Sequence, residues 1–298
     1  SGTPEPAAHG FLSALDADLT LLRALRDLGD TRKDLAFICG PTSLQKEMLA
    51  ASDGGRAAGD YVEHVSAVVS GIDLDGLVRD WAKVTERHDI LRTYVAYDDA
   101  DRPMLLCRHR HTPEWDIKDW SSCSSADAEA MGLELLETLK RSPLDARAGP
   151  PFIWRARRLP NGRALLVWSY HHALLDGWSD VMLLDELFML HRGSDVDSLA
   201  SAGSFRDLVT WISRQDRRAS ERAWADHLDG IGSDRSWIIS DRDGTTDQHA
   251  SRRESVPLTD PCWDAVLRMS RKHGVPPSAI VASTVASAIR RVTGADDV

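Results

Sequence analysis

The stretch Ala164-Leu-Leu-Val-Trp-Ser-Tyr-His-His-Ala-Leu-Leu-Asp-Gly-Trp-Ser179 decides the fold of this chain. It opens with an apolar run of strand length, and a helical pattern follows over residues 180–190. Two histidines therefore leave the end of a buried strand and enter a short loop, a place where a rigid scaffold can present a reactive side chain. We predict a loop closed by Asp176 and Gly177, whose glycine permits turn geometry, and a helix capped by Ser179.

The string His171-His172-x-x-x-Asp176-Gly177 combines residue types that suit acid–base chemistry. Imidazole titrates near neutral pH, so a histidine can take a proton from a nucleophile in water. Asp176 is placed either to contact His172 or to pair with an arginine. A lone histidine after a strand is commonly a hydrogen-bonded core residue, but the complete string favours a functional site. We expect no metal, because no Cys/His cluster elsewhere completes a ligand set.

Composition describes a soluble globular protein and excludes several functions. The 298 residues are 42% hydrophobic and 28% charged, enough for one large domain or two lobes. A net charge of −10 argues against a nucleic-acid-binding surface. The apolar runs are too short to span a membrane, so we expect no membrane partner and a cytoplasmic location. The four cysteines lack C-x-x-C spacing and are expected to be thiols.

Periodicity divides the chain into three regions. A helical stripe at 11–28 makes residues 1–36 an N-terminal linker or docking helix. A small, polar segment at 192–204 is the best boundary between lobes spanning 37–200 and 201–298. Strands are predicted at 61–70, 91–96, 103–110, 152–158 and 164–170, and helices from 41 and at 74–88, 126–141, 180–190, 205–230, 263–273 and 277–293. This mixture indicates α/β sandwich lobes rather than a repeated βαβ unit.

Several of these segments together resemble the condensation domains of nonribosomal peptide synthetases. The string from His171 to Gly177 resembles the third and most diagnostic motif of that family. The other matches follow in the family's order: Pro41-Thr-Ser-Leu-Gln-Lys-Glu-Met-Leu49, Arg87-His-Asp-Ile-Leu-Arg-Thr93, Phe205-Arg-Asp-Leu-Val-Thr-Trp211, and the helix and helix exit within 274–298. Residues 37–298 are covered.

The resemblance implies a chloramphenicol acetyltransferase-like fold, a two-lobe α/β sandwich with a tunnel between the lobes. The family's second lobe continues further, so residues 201–298 would be only its first part and that lobe would be incomplete. Donor and acceptor peptidyl carrier proteins would bind at opposite mouths and insert phosphopantetheine arms. The domain itself would bind no cofactor, and neighbouring synthetase domains would be further partners.

The resemblance also assigns roles to single residues. The catalytic residue would be His172, acting in amide bond formation during antibiotic biosynthesis. Residues that would support the site are His171, Asp176, Gly177, Trp178 and Ser179. Residues that would mainly pack the lobe are Arg87, Arg92, Ser43 and Gln45.

Other interpretations within the superfamily stay open. A hydroxyl acyltransferase would make an ester with the same histidine, and a recruitment domain would keep the fold without catalysis. An epimerization domain usually has Val-Ser-Trp where this chain has Trp178-Ser179. A heterocyclization domain replaces the first histidine with aspartate, so His171 argues against it.

Overall fold

The computed structural model describes residues 25–26, 29–53, 61–97, 102–140, 144, 151–230 and 256–294. The chain divides into two compact units, with the boundary between Gln215 and Asp216. The predicted helix at 11–28 lies almost wholly outside the described residues.

The described part of the first unit mixes strands and helices, as expected for an α/β lobe. Its strands are β1 (Leu35–Cys39), β2 (Val62–Ser70), β3 (Thr93–Tyr97), β4 (Pro103–Arg108), β5 (Trp115–Asp119), β6 (Phe152–Leu159) and β7 (Arg163–His171). Its α-helices are α1 (Ser43–Asp53), α2 (Leu74–Arg87), α3 (Ser125–Leu139), α4 (Gly177–His191) and α5 (Phe205–Ser213). A 3₁₀ turn at Asp89–Arg92 precedes β3 and replaces the start of the strand predicted at 91–96.

The strands form two sheets. The smaller sheet has the order β1-β4-β3 and is antiparallel. The larger has the order β2-β7-β6-β5, in which only β5 pairs in parallel, with β6. Neither β1 nor β5 was predicted from the sequence. Because β7 is central and covered on both sides, eight of its nine residues are buried, which explains its nearly continuous apolar sequence.

The turn between β6 and β7 forms where the sequence predicted it. Pro160, Asn161 and Gly162 make a short 3₁₀ turn between strands in continuous antiparallel register. Asn161 and Gly162 have φ angles of 62° and 65°, in the left-handed region that these two residue types tolerate best.

One face of the larger sheet packs against α2 and α4. On α2 the buried residues Leu74, Leu77, Trp81 and Val84 recur at helical spacing. They meet a row of stacked tryptophans from the sheet, with Trp154 centred 5.5 Å from Trp168 and nearly parallel to it. Trp81 approaches both edge-on, and Trp115 extends the stack. This aromatic cluster is the main core of the unit.

The opposite face of the sheet is covered by α3. Ala128 and Leu139 pack there with Leu165 and Val167 of β7. At Gly132 a Cβ atom would lie 3.3 Å from the Leu165 side chain, so glycine allows the helix to approach the sheet closely. The site therefore stands at the end of a strand that is held from both sides.

The first unit extends past the predicted lobe boundary at 200/201. The chain after α4 is anchored to α2, because the Arg87 guanidinium donates 2.6 Å to the Ala200 carbonyl. The Asp89 carboxylate then accepts hydrogen bonds from Ser204 and from the Phe205 backbone. These contacts make α5 part of the first unit, which continues to Gln215.

The described residues of the second unit form three helices, α6 (Arg217–His227), α7 (Asp260–His273) and α8 (Pro277–Thr293). The two later helices agree with the periodicity of the sequence. Gly274, at φ 65°, ends α7 and allows the chain to turn into α8. None of the described residues in this unit is buried. Across the described ranges of both units, no helix is long and apolar enough to cross a membrane.

We expect Trp168→Ala to destabilise the chain by about 3–5 kcal/mol, because a fully buried indole leaves a large cavity. Chemical denaturation of the full chain measures this loss. Trp178→Ala is the control: that side chain is 82% exposed, and we expect a change within about 0.5 kcal/mol. Equal effects of the two substitutions would contradict the assignment of the tryptophan stack as the core.

Candidate active site

His171 is the last residue of β7, His172 begins the loop to α4, and Asp176 immediately precedes the first helical residue, Gly177. The Asp176 Oδ1 accepts a hydrogen bond of 2.8 Å from the Ser179 backbone N–H, so Asp176 is the N-cap. The prediction that Ser179 caps this helix is therefore wrong. Asp and Ser are equally good caps, and both stand near the helix start.

Gly177 opens α4 without the turn geometry expected of it. Its φ is not in the left-handed region, and a Cβ atom there would meet nothing within 4 Å. The fold of this unit therefore does not require glycine at this position, and the conformational reason predicted for it is wrong.

His171 is buried and fully engaged inside the protein. Its side chain is only 1% exposed. Nδ1 accepts a hydrogen bond from the Ala173 backbone N–H at 3.1 Å, which places the ring proton on Nε2. Nε2 then lies 2.9 Å from Ser52 Oγ, whose own proton goes to the Met48 carbonyl. This chain of bonds fixes the start of the loop to α1.

His172 is held in the opposite tautomer to His171, with its proton on Nδ1 and its lone pair on Nε2. Its Nδ1 lies 2.6 Å from the Leu175 carbonyl, which can only accept, so Nδ1 carries the proton. Nε2 therefore has a free lone pair at neutral charge. The His172 backbone N–H donates 2.6 Å to the carbonyl of Tyr61, a residue with φ 63° that begins the approach to β2.

His172 faces a cavity of about 680 Å³ in the first unit. The walls come from the loop itself, α1, the turn after α2, α4 and the start of α5. Most lining side chains are apolar, namely Leu44, Met48, Ile90, Ala173, Leu174, Leu175, Met182, Leu183, Phe205 and Leu208. A pocket of this size can hold a small ligand beside the imidazole.

Gln45 ties α1 to the histidine loop. Its Oε1 accepts from the Thr42 N–H, and Thr42 Oγ1 accepts from the Gln45 N–H, a reciprocal capping arrangement. Gln45 Nε2 then donates 2.9 Å to the Ala173 carbonyl. Ser43 is part of the first turn of α1 and does not line the cavity.

Arg87 and Arg92 bind parts of the scaffold rather than the cavity. Arg87 pairs with Glu186 of α4, and His88 Nε2 lies 2.8 Å from the same carboxylate. Burial raises the pKa of Glu186, but the hydrogen bonds from His88 and Arg87 outweigh it and hold that pKa below its ordinary value. Arg92 donates to the carbonyls of Thr85, Arg108 and His109.

Asp89 holds one wall of the cavity, a role that the sequence did not reveal. Its two carboxylate oxygens accept from the Phe205 backbone N–H, each at 3.1 Å, and Oδ2 also accepts from Ser204 Oγ at 2.8 Å. These bonds cap α5, which supplies Phe205 and Leu208 to the cavity. An acidic residue after the histidine of the second motif was the available signal, but its partners lie over a hundred residues away.

Asp176, Trp178 and Ser179 lie at the rim of the site. The Asp176 carboxylate is exposed, and hydrogen bonds from the Ser179 side chain and backbone hold its pKa below the ordinary value. Among the described residues it forms no ion pair with an arginine, so the buried, arginine-paired carboxylate considered from the sequence is not found. Trp178 is 82% exposed, whereas Ser179 is half-buried and lines the cavity.

Within the described ranges, no group of three or more His, Cys, Asp or Glu side chains is arranged to hold a metal ion. Among the residues that line the cavity, His172 has a ring tautomer fixed by the Leu175 carbonyl.

Comparison with known proteins identifies the family. The profile of the Condensation domain matches residues 41–298. The chain belongs to the condensation-domain family. It is 32% identical over 194 residues to one of the linear gramicidin synthase proteins of Brevibacillus parabrevis, covering 64% of this chain and 2% of that protein. It is 23% identical over 238 residues to bacitracin synthase 1 of Bacillus licheniformis, covering 78% of this chain and 4% of that protein.

A solved condensation domain shows the same fold. The first condensation domain of the calcium-dependent antibiotic synthetase, in complex with a substrate analogue, matches with a TM-score of 0.70 at 20% identity. The match covers 89% of this chain and 63% of the solved one. This condensation domain therefore spans less than two thirds of the solved chain and a small part of the curated relatives.

We expect Asp176→Ala to cost about 0.5–2 kcal/mol at pH 7, because the helix loses its N-cap, whereas Asp176→Asn keeps a cap and loses less. The folded carboxylate has the lower pKa, so its advantage over the asparagine variant is present above the unfolded value of about 3.9. That advantage declines as pH falls through the folded pKa. Denaturation between pH 7 and 2 measures both effects. Unchanged stability with lost turnover would instead give Asp176 a chemical role.

We expect Asp89→Ala to release the start of α5, because the Ser204 hydroxyl and the Phe205 amide lose their acceptor. Hydrogen–deuterium exchange should become faster over Phe205–Ser213, with a loss of about 1–2 kcal/mol in unfolding free energy. Asp207→Ala is the matched control, an exposed acid in the first turn of the same helix. Equal exchange in both variants would contradict the anchoring role.

Proposed function

We propose that this condensation domain forms an amide bond between two carrier-bound acyl or aminoacyl thioesters in nonribosomal peptide synthesis. The observation that carries the proposal is the state of His172: its Nδ1 proton is bound to the Leu175 carbonyl, which leaves Nε2 as the basic nitrogen, and the residue lines the cavity. Membership of the condensation-domain family supports the same reaction class.

In the proposed reaction, the free amine of the acceptor attacks the donor's thioester carbonyl. The carbon–nitrogen bond forms, the carbon–sulfur bond breaks, and the pantetheine sulfur leaves as a thiol. His172 Nε2 accepts a proton from the attacking nitrogen and can return it to the departing sulfur. General base catalysis of this kind contributes about 10²–10⁴-fold in rate.

The remaining acceleration would come from positioning. Donor and acceptor peptidyl carrier proteins supply the phosphopantetheine arms, which tether both reacting groups, and the cavity limits where they meet. We infer that neighbouring synthetase domains and a cytoplasmic setting complete the system. The contacts of Gln45, Asp89 and His171 support this proposal because they hold the walls and the loop in one arrangement.

We expect His172→Ala to reduce amide formation by about 10²–10⁴-fold. His172→Asn is the sharper variant, because its amide N–H can still reach the Leu175 carbonyl while the Nε2 base is absent. Both variants should fold like the wild type, as shown by their melting temperatures. Transfer between loaded carrier domains, followed by mass spectrometry, measures the product. Wild-type turnover in His172→Asn would remove proton transfer from the role of this residue.

The same assay separates amide formation from the alternatives. Matched amine and alcohol acceptors are offered with one donor thioester. We expect the amide product alone. An ester product would identify a hydroxyl acyltransferase, and carrier binding without any product would identify a recruitment domain.

A further inference from the structure

The cavity beside His172 has apolar walls from three separate helices. Leu44 and Met48 come from α1, Met182 from α4, and Phe205 and Leu208 from α5. Several of these side chains are unusually open for their type: Leu44 is 61%, Met182 64% and Leu208 49% exposed. Covering such surface with another apolar group is favourable, because it removes that surface from water.

The polar side chains in the same walls are already engaged within the protein. Gln45 is bonded to Ala173, His88 to Glu186, and Asp89 to the start of α5. Asp176 and Ser179 bond to each other. These bonds use donors and acceptors that a polar ligand in the cavity would otherwise reach.

We propose that this cavity binds the side chain of an aminoacyl substrate, and that this side chain is apolar and uncharged. The inference rests on the proposed function and names its substrate class. A polar side chain entering the cavity would lose its water and meet polar groups that are mostly engaged within the protein, which is costly. An acidic side chain would also meet the Asp176 carboxylate at the rim.

The first test compares side chains of nearly equal shape and different polarity. Leucyl, asparaginyl and aspartyl thioesters on carrier domains are offered to the chain, in one series as donor and in another as acceptor. We expect leucine to exceed asparagine by roughly 10- to 100-fold in kcat/KM in the series that uses the cavity, with aspartate lower still. The two series show which substrate occupies it. Equal use of all three side chains in both series overturns the proposal.

The second test locates the preference in the cavity wall. Leu208→Asn adds a polar amide to the lining, so we expect the preference for leucine over asparagine to fall about tenfold. Ile212→Asn is the matched control, a 39% exposed aliphatic residue on the same helix that does not line the cavity. We expect it to leave the preference unchanged. A similar change in both variants would place the selectivity elsewhere.

A binding measurement separates this inference from the proposed reaction. Calorimetry with unreactive leucyl and asparaginyl pantetheine amides needs no turnover, and it is run on wild type and His172→Ala. Preferential leucyl binding by a wild-type chain that makes no product from loaded carriers supports the cavity assignment and contradicts the proposed function; in His172→Ala we expect the binding preference to persist while product formation falls. Amide formation with no binding preference for the leucyl compound supports the proposed function and contradicts the cavity assignment.

Discussion

The buried imidazole of His171 is the constraint on which the site depends. A polar ring with 1% exposure is tolerated only when its nitrogens are bonded, and both are: one accepts from Ala173 and the other bonds to Ser52. The ring thereby fixes the course of the chain after β7. In the loop that follows, the Nδ1 proton of His172 bonds to the Leu175 carbonyl, and Asp176 stands at the start of α4. The adjacent residues His171 and His172 therefore have different roles because their hydrogen-bond partners differ.

The segments outside the histidine loop that resemble family motifs hold helices of this unit together. Arg87 joins α2 to α4 and to the segment that follows α4. Asp89 fastens α5, and Gln45 fastens α1 to the loop. The cavity is therefore the space left between helices that are each tied by polar bonds to their neighbours. The shape of the cavity depends on those hydrogen bonds and ion pairs.

Much of the fold could be predicted from patterns that are local in the sequence. The periodicity of α2, the apolar run of β7 and the turn at Asn161 and Gly162 are all local, and each was predicted. The edge strands β1 and β5 were missed because each is five residues long, and β5 carries three charged residues. The loop signalled a site, but Ser52 and Asp89 act through partners distant in sequence, which periodicity does not reveal. The lobe boundary predicted at 200/201 rests on polar composition, which reports exposure to solvent and does not reveal the contacts that anchor Ala200 and Phe205.

The bond from Gln45 to Ala173 joins residues 128 positions apart in the chain, and Ser52 reaches His171 across 119. A recombination event with a single crossover joins the sequence of one parent, up to the crossover, to that of another. A crossover anywhere between α1 and β7 would pair a loop from one parent with a helix from the other. Such chimaeras keep both histidines but take Gln45 and Ser52, which bond to the histidine loop, from the other parent. In this chain, α1 and the histidine loop therefore depend on each other and would have to be exchanged together.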